Sequence, residues 1–211
     1  MNLFEHVDNY CERTGPSLWS EPFNALSNLA FLIAAIVLWR QARGKPQQTE
    51  LRSLAALIAL IGICSGLFHV FGAVWGMVLD VAGIALFILV YIHRYLRQLV
   101  KWPLWACWLG VVAFLAADRA IAALGKFGLN GSEGYLLPGA TLAVFAWWSR
   151  GHAPASTRWL GAATLVFVVS LSLRTLDMAL CASWPLGTHF AWHVLNALVL
   201  YCCARGLAAR I

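Results

Sequence analysis

The stretch Leu54–Asp80 reads LAALIALIGICSGLFHVFGAVWGMVLD, and His69 and Asp80 are its only residues with side chains that ionise near or below neutral pH. Two apolar runs are separated by a short turn after Phe71. A helix rises about 1.5 Å per residue, so about 20 apolar residues cross the hydrocarbon core of a bilayer, which is about 30 Å thick. The stretch therefore predicts two membrane-spanning helices that meet near one membrane face, with polar side chains close to their junction.

The whole chain has the composition of a membrane protein. Of its 211 residues, 61% are hydrophobic and 11% are charged, whereas a soluble domain is about 45–50% apolar and about 25% charged. The net charge is +6, but the 15 basic residues lie between apolar runs and form no patch. This composition excludes a disordered chain, a coiled coil and a nucleic-acid-binding module. One domain over residues 1–211 is expected for this length.

Apolar runs along the rest of the chain predict an all-α membrane protein with seven spans. The fifth run is short and contains Pro138. The predicted spans are Asn24–Trp39, Leu54–Phe71, Val74–Ile92, Trp102–Ala117, Tyr135–Trp148, Trp159–Met178 and His189–Cys203.

Basic residues fall mainly on one side of the predicted membrane. That side carries eleven Lys and Arg residues and one acid, Glu50, whereas the other side carries four basic and eight acidic residues. Loops rich in Lys and Arg stay in the cytoplasm, which predicts an N-terminus outside and a cytoplasmic C-terminus. The short loops are typical of a bacterial protein and predict an inner (plasma) membrane. The eleven basic residues are Arg40, Arg43, Lys45, Arg52, Arg94, Arg97, Lys101, Arg150, Arg158, Arg205 and Arg210.

Polar residues inside three of the spans fall at one depth. Ser65 and His69 are four residues apart, as are His189 and His193, so each pair lies on one face of its helix. The second span runs outward and the third and seventh run inward, which brings all of these residues and Asp80 towards the outer leaflet. Ionisable groups at membrane depth cost roughly 2.5–3.5 kcal/mol each on insertion scales and are candidates for function.

Three imidazoles with an open fourth position are typical of a catalytic zinc site, where the metal activates water at neutral pH. Asp80 is suited to hold or deprotonate that water, and Ser65 to donate a hydrogen bond to water or to a substrate oxygen. Each residue also has a simpler explanation. A single His at a helix end is usually interfacial, His-x-x-x-His alone is a weak metal motif, and Asp80 could pair with Arg119 or Arg174. Their convergence at one depth favours the metal site.

At these residues the sequence resembles the alkaline ceramidase family, within the superfamily of seven-helix hydrolases that includes the adiponectin receptors and hemolysin III proteins. The resemblance rests on YCERTGPSLWSEPFNALSNLAF (Tyr10–Phe31), on the spacing S-x-x-x-H-x10-D that ends at Asp80, and on RTLDMALC with HFAWH between Arg174 and His193. It implies a zinc-dependent amidase that cleaves the N-acyl bond of ceramide. It also implies that the zinc ligands are His69, His189 and His193, and that Ser65 and Asp80 contact the water.

The resemblance further implies a calcium site near the N-terminus. The family carries an Asp-Trp-Cys-Glu-x-Asn stretch and a later Glu, which correspond here to Asn9, Tyr10, Glu12, Thr14 and Glu21. Calcium prefers six to eight oxygen ligands, including several carboxylates, and Asn and Thr replace Asp and Asn of the family pattern. The alternative, that the two acids are outward-facing charges near a helix N-terminus, stays open.

The resemblance also implies a disulfide between Cys11 and Cys181, both on the predicted outer side, where oxidation can occur. Arg174 and Asp177 are expected to pair with each other and to position the last loop. Their role is expected to be structural.

Two functions from different classes follow from this sequence. The first is an intramembrane zinc amidase acting on ceramide or a related N-acyl lipid. The second is a receptor-like or membrane-perturbing protein of the same superfamily with a mainly structural zinc site. A retinal-binding protein is excluded because Lys45, Lys101 and Lys126 all lie outside the seventh span. A ceramide-like lipid is the expected partner, and neither a nucleic acid nor a protein partner is expected.

Overall fold

The computed structural model describes residues 2–125 and 127–209. Lys126 and Arg210, which contribute to the charge count above, lie outside these residues. The described chain folds into eight α-helices and one 3-10 turn. They are α1 (Pro22–Ser27), α2 (Leu29–Gln41), α3 (Gln48–Phe71), α4 (Val74–Gln98), α5 (Leu104–Ala123), the 3-10 turn Ser132–Tyr135, α6 (Leu136–His152), α7 (Pro154–Leu180) and α8 (His189–Ala208).

Six helical segments of the described chain are long and apolar enough to cross a membrane. Helices α1 and α2 together form the first of these, Pro22–Gln41, and the others are α3, α4, α5, α7 and α8. Helix α6 matches the predicted fifth span in position, but with 17 residues it is shorter than these six segments. The all-helical membrane architecture is therefore confirmed, and the crossing by α6 stays a prediction.

Two helices extend beyond the predicted spans at the ends that the charge pattern predicts to be cytoplasmic. Helix α3 begins at Gln48 rather than Leu54, and α4 continues to Gln98 rather than ending at Ile92. An apolar run ends where the side chains reach the headgroups, whereas backbone hydrogen bonds of a helix continue into water. The sequence pattern therefore marks the membrane-embedded part of each helix and not its full length.

Helix α8 lies at the centre of the bundle. In its most apolar stretch 61% of the residues are buried, against 11% in α5, and it packs against α7, α2, α1 and α3. Helix α5 packs mainly against α4 at the periphery. Large apolar side chains such as Ile33, Leu165 and Val168 are exposed on the outside, as expected for helices that face lipid. The central position of α8 carries His189 and His193 into the interior.

The N-terminal segment is attached to the turn between α3 and α4. Gly72 ends α3 with φ +57°, a left-handed conformation that glycine adopts without steric cost. The backbone N–H of Val7 donates to the carbonyl of Gly72 (2.7 Å), and that of Val74 donates to the carbonyl of Glu5 (3.0 Å). These bonds hold the segment across the end of the bundle at which α3 ends and α4 and α8 begin.

Candidate metal centre

Three histidines from two helices converge in the interior. His69 lies in the last turn of α3, and His189 and His193 lie in the first turns of α8. One ring nitrogen from each lies within 4.8 Å of the others, and each residue is at most 2% exposed. The i, i+4 spacing and the opposed directions of α3 and α8 bring them together, as the sequence predicts. Such a group could hold a metal ion.

Hydrogen bonds fix the orientation of two of these rings. The Glu21 carboxylate accepts a hydrogen bond from Nδ1 of His69 (2.6 Å). Ser27 Oγ donates to the carbonyl of Asn24 (2.8 Å) and lies 2.7 Å from Nδ1 of His193, so its oxygen accepts the imidazole proton. In both rings Nδ1 carries the proton, and Nε2 is left with a lone pair for a metal. Metal-ligating histidines usually have partners of this kind on the other ring nitrogen.

Unpartnered buried nitrogens also indicate a ligand. Nε2 of His69 and Nδ1 of His189 are buried and have no hydrogen-bond partner among the described residues. Buried polar atoms are satisfied in the great majority of cases, so each exception needs an explanation. A cation among the three rings would satisfy Nε2 of His69, whose Nδ1 is bonded to Glu21. Three neutral imidazoles are a donor set that zinc accepts.

Ser65 and Asp80, the two other residues predicted for this site, are both buried, and Ser65 lies one helical turn before His69 in α3. Ser65 is 3% exposed and Asp80 is 9% exposed. The Asp80 carboxylate interacts electrostatically with Ser65, His69 and Arg174. Oδ1 of Asp80 is buried and makes no hydrogen bond within the part of the chain that is described. This oxygen is available to a water molecule or to a substrate N–H.

The N-terminal segment covers the histidine cluster. The ring of Tyr10 stacks on that of His189, with 3.6 Å between centroids. The Arg13 guanidinium is buried; its Nε donates to Glu21 and its Nη2 donates to the backbone carbonyl of His69 (2.8 Å). Burial of Glu21 raises its pKa, but hydrogen bonds from His69 and Asn24 and the charge of Arg13 outweigh that effect and hold the pKa below its usual range.

The two acids among the five residues suggested for calcium are already hydrogen-bonded within the chain. Both Glu12 oxygens accept hydrogen bonds from backbone N–H groups at the start of α1 (2.6 and 2.8 Å). The Glu21 carboxylate is bound by Arg13, His69 and Asn24. A guanidinium therefore already neutralises Glu21. The hydrogen bonding favours the alternative in which Glu12 acts at a helix N-terminus, and calcium binding stays a prediction.

None of the other three residues suggested for calcium contributes a carboxylate. The Asn9 side-chain amide points at the sulfur of Met77 (3.6 Å), the Tyr10 ring stacks on His189, and Thr14 is exposed.

A disulfide joins the N-terminal segment to the loop between α7 and α8, which confirms the expected link between Cys11 and Cys181. Their Cα atoms are 5.4 Å apart. Asp177 positions the same loop, because its carboxylate accepts hydrogen bonds from the backbone N–H groups of Cys11, Thr188 and His189.

The expected pairing of Asp177 with Arg174 is wrong. Arg174 donates instead to the carbonyl of Asn130 and to the hydroxyl of Ser132, both at 2.9 Å. The two side chains lie three residues apart in α7, but the carboxylate is used by backbone N–H groups of the loop that it positions.

A cleft opens between α4, α5 and α6. Its volume is about 520 Å³, and its walls include Ile84, Ile88 and Phe114 along the membrane-embedded part and Arg174 at the other end. A smaller interior cavity of about 70 Å³ shares Ile84, Ile88, Tyr135 and Pro138 with it. Both cavities are lined mainly by apolar side chains.

Comparison of the chain with protein-family models, with curated proteins and with solved structures found no match. The resemblance to the alkaline ceramidases therefore rests on the residues of this sequence alone.

Sequence reasoning identified the histidines but not the residues that orient them. The sequence predicts a calcium site at Glu21. It predicts no role at the histidine cluster for Arg13, Ser27 or the ring of Tyr10. One signal for Ser27 was present in the sequence, since it is a polar residue at the start of an apolar span. Arg13 binds Glu21, eight residues away, and the carbonyl of His69, 56 residues away. Neither separation follows from the periodicity of a helix.

Proposed function

We propose that this chain is an intramembrane zinc-dependent amidase that hydrolyses the N-acyl bond of ceramide or a related N-acyl lipid. The products are a free fatty acid and a sphingoid-type amine. The observation that carries the proposal is the convergence of three buried imidazoles beside Asp80, whose Oδ1 has no partner among the described residues. The mainly apolar cleft between α4, α5 and α6 supports a lipid substrate. We further propose seven spans, with this site in the outer leaflet of a bacterial inner membrane.

The chain would supply ligands, a base and a hydrogen-bond donor. His69, His189 and His193 would hold the zinc ion, which activates water and polarises a carbonyl group when bound. Asp80 would accept a proton from the attacking water through Oδ1 and return it to the leaving amine. Ser65 would orient Asp80 or donate to a substrate oxygen. Glu21 and Ser27 would keep two of the imidazoles in the required tautomer.

A panel of lipid amides tests the activity. The purified full-length protein is incubated with ceramides and other N-acyl lipids, with and without a zinc chelator, and released fatty acid is measured by mass spectrometry. We expect release that the chelator abolishes and that added zinc restores. Release that is insensitive to the chelator, or none from any lipid amide, would contradict the proposal.

Substitutions separate metal binding from chemistry. Asp80→Asn is expected to keep one zinc per chain but to lower turnover by about 10²–10⁴-fold, the usual contribution of a general base. His69→Ala is expected to lose the metal. His93→Ala is the matched control, because His93 lies on α4 with its ring packed on Trp108 (4.6 Å), away from the cluster. Full zinc content in His69→Ala, or near-native turnover in Asp80→Asn, would refute these assignments.

The burial of all three histidines beneath the N-terminal segment favours one competing function. A receptor-like or membrane-perturbing protein would use a closed, mainly structural zinc site. The same panel distinguishes the two, because such a protein would bind a lipid or a free acyl chain without turnover.

A further inference from the structure

A basic pocket lies at the end of the bundle opposite the histidines, where α2 and α8 end and α7 begins. Its volume is about 210 Å³, and its wall includes Lys45, Arg158 and Arg205 but, among the described residues, no Asp or Glu. Arg205 follows His189 by roughly four turns of α8, or about 24 Å along the helix axis at 1.5 Å per residue. The pocket is therefore separate from the candidate metal centre.

Two of these cations share one aromatic ring. Cζ of Arg205 lies 4.8 Å from the centroid of the Trp159 ring, and Cζ of Arg158 lies 5.6 Å from it. An aromatic ring attracts each cation but carries no net charge. No described carboxylate lies within ion-pair distance of either guanidinium. Two like charges therefore converge on this wall, and an anion in the pocket would be attracted by both.

The acid nearest in sequence to the wall is bound by another helix. Glu50 precedes Leu51, which is part of the wall. The Glu50 carboxylate accepts a hydrogen bond from the side-chain amide of Gln98 in α4 (2.6 Å) and interacts electrostatically with Arg94 of the same helix. These contacts lie on the α4 side of α3, whereas the pocket lies towards α2, α7 and α8. The local charge of the pocket is therefore positive.

Hydrogen bonds hold Arg205 in place and leave donors for a ligand. Oε1 of Gln41 in α2 accepts hydrogen bonds from Nη1 of Arg205 (2.5 Å) and from the hydroxyl of Tyr201 (2.9 Å). A guanidinium has five N–H donors, and this contact uses one of them. Nε1 of Trp159 is buried and has no hydrogen-bond partner in the described part of the chain. Guanidinium and indole groups only donate, so the wall calls for an acceptor.

An exposed apolar strip of α8 leads from the interior of the bilayer to this pocket. Val194 and Leu198 are 46% and 44% exposed. Tyr201 and Arg205 follow at spacings of three and four residues, so all four side chains lie on one face of the helix. Tyr201 contacts both α2 and α7, which places this face between those two helices. An acyl chain fits along the strip while an anionic group occupies the pocket.

The pocket lies at the depth expected for lipid headgroups. The predicted apolar spans of this region end at Trp39, begin at Trp159 and end at Cys203, and the wall residues Gln41 and Arg205 lie just beyond two of these points. Tryptophan prefers the membrane–water interface, and the excess of basic residues predicts that this side is cytoplasmic. Basic pockets between membrane helices on that side are typical sites for anionic lipid headgroups.

We propose that this pocket binds the phosphate group of an anionic phospholipid from the predicted cytoplasmic leaflet, with one acyl chain along the strip of α8. Guanidinium groups bind phosphate oxygens strongly, and three cations without a neighbouring acid disfavour a headgroup that carries its own cation. A single water needs only about 10–15 Å³, so the pocket has room for a phosphate group. The proposal is independent of the amidase function.

A competition between two phospholipids tests the proposal. The purified full-length protein in a non-ionic detergent receives equal amounts of phosphatidylglycerol and phosphatidylcholine with the same acyl chains. Native mass spectrometry counts the lipids that stay bound. Phosphatidylglycerol should be retained at least about tenfold more often, because each basic residue near a membrane surface contributes about fivefold to the attraction of an anionic lipid. Equal retention of the two lipids would overturn the proposal.

Arginine variants connect the preference to the pocket. Arg158→Gln should lower the retention ratio about fivefold, and adding Arg205→Gln should bring it to about one. The matched control is Arg97→Gln with Arg150→Gln, which removes the same charge from two exposed residues of the same predicted side that lie outside the pocket. It should keep the wild-type ratio. An unchanged ratio in the pocket variants, or an equal loss in the control, would overturn the proposal.

Thermal unfolding separates a lipid from a free ion and checks that the variants fold. Phosphatidylglycerol should raise the melting temperature of the wild-type protein more than phosphatidylcholine does, and Arg158→Gln should reduce this difference. Arg158 is exposed, so its single variant keeps the test valid if the double variant does not fold. Millimolar inorganic phosphate should neither raise the melting temperature nor displace the lipid. Displacement of phosphatidylglycerol by inorganic phosphate would overturn the assignment to a lipid.

Discussion

At the scale of single residues, the proposed metal centre depends on a chain of contacts that begins in the N-terminal segment. Arg13 binds Glu21, and Glu21 binds Nδ1 of His69. A carboxylate on the outer nitrogen of a metal-ligating imidazole fixes its tautomer and raises its basicity. Arg13 also donates to the backbone carbonyl of His69. One buried arginine thereby positions both the ring and the backbone of a ligand.

Glu21→Gln should weaken metal binding. A glutamine can still accept one hydrogen bond, but it has no charge to polarise His69 or to neutralise Arg13, and loss of such partners typically costs about 10- to 100-fold in metal affinity. The measurement is a zinc titration of the purified protein in competition with a chelator of known affinity.

Glu12→Gln is the matched control for that change. Its carboxylate lies in the same segment but accepts hydrogen bonds from the start of α1. It should cost about 1 kcal/mol of stability, as for loss of a helix cap, with zinc affinity unchanged. Equal zinc affinity in Glu21→Gln and wild type would contradict the assignment of Glu21 to His69.

The sequence predicts the ligands of this site better than their partners. The histidines and Asp80 stand out because ionisable groups are rare and costly inside apolar spans. Glu21 and His69 are 48 residues apart, and their contact depends on how the N-terminal segment folds back over the bundle. Periodicity within a helix does not show how this segment packs on the bundle. The sequence therefore does not predict that Glu21 binds His69 rather than calcium.

At the scale of elements, close packing of α2 against α3 holds His69 and Ser27 at the same level. Gly62 is the contact point. A Cβ atom at this position would lie 2.8 Å from the Cβ of Phe31 and 3.1 Å from the carbonyl oxygen of Asn28. Small residues at such crossings allow backbones to approach closely in a membrane, where packing is a main source of helix association.

Gly62→Ala should separate α2 from α3 and destabilise the fold by about 1–3 kcal/mol, the usual cost of overpacking. Thermal unfolding in detergent measures the effect. Gly161→Ala is the matched control, because a Cβ there has open space around it in the interior of α7. That change should leave stability equal or raise it by up to about 1 kcal/mol through helix propensity. Equal melting temperatures for the two variants would show that the contact at Gly62 is unimportant.

At the scale of the whole molecule, the arrangement in the membrane depends on α6. The charge distribution predicts that the loops on either side of α6 lie on opposite membrane faces. Helix α6 has 17 residues, at the lower limit of the lengths that span a bilayer. With α6 crossing, the count is seven, and the N- and C-termini lie on opposite sides.

Thiol labelling in intact cells measures this arrangement. Leu124→Cys lies before α6 and His152→Cys lies at its end, and both positions are exposed. A membrane-impermeant maleimide should label Leu124→Cys directly and His152→Cys only after permeabilisation. The unpaired native thiols of the described chain, Cys64, Cys107, Cys202 and Cys203, are buried, which keeps the background low. Labelling of both positions from the same side would mean that α6 does not cross.

The cover formed by Tyr10, Cys11 and Arg13 over the histidines has a consequence for how the centre is assembled. The ligands belong to α3 and α8, whereas the cover is a separate segment that the Cys11–Cys181 bond locks to the loop before α8. If these histidines hold an ion, it would have to arrive before the two thiols oxidise, or wait for the locked segment to open. Reductants should then accelerate both loading and loss of the ion, so that the redox state around this bond would set how long a captured ion stays.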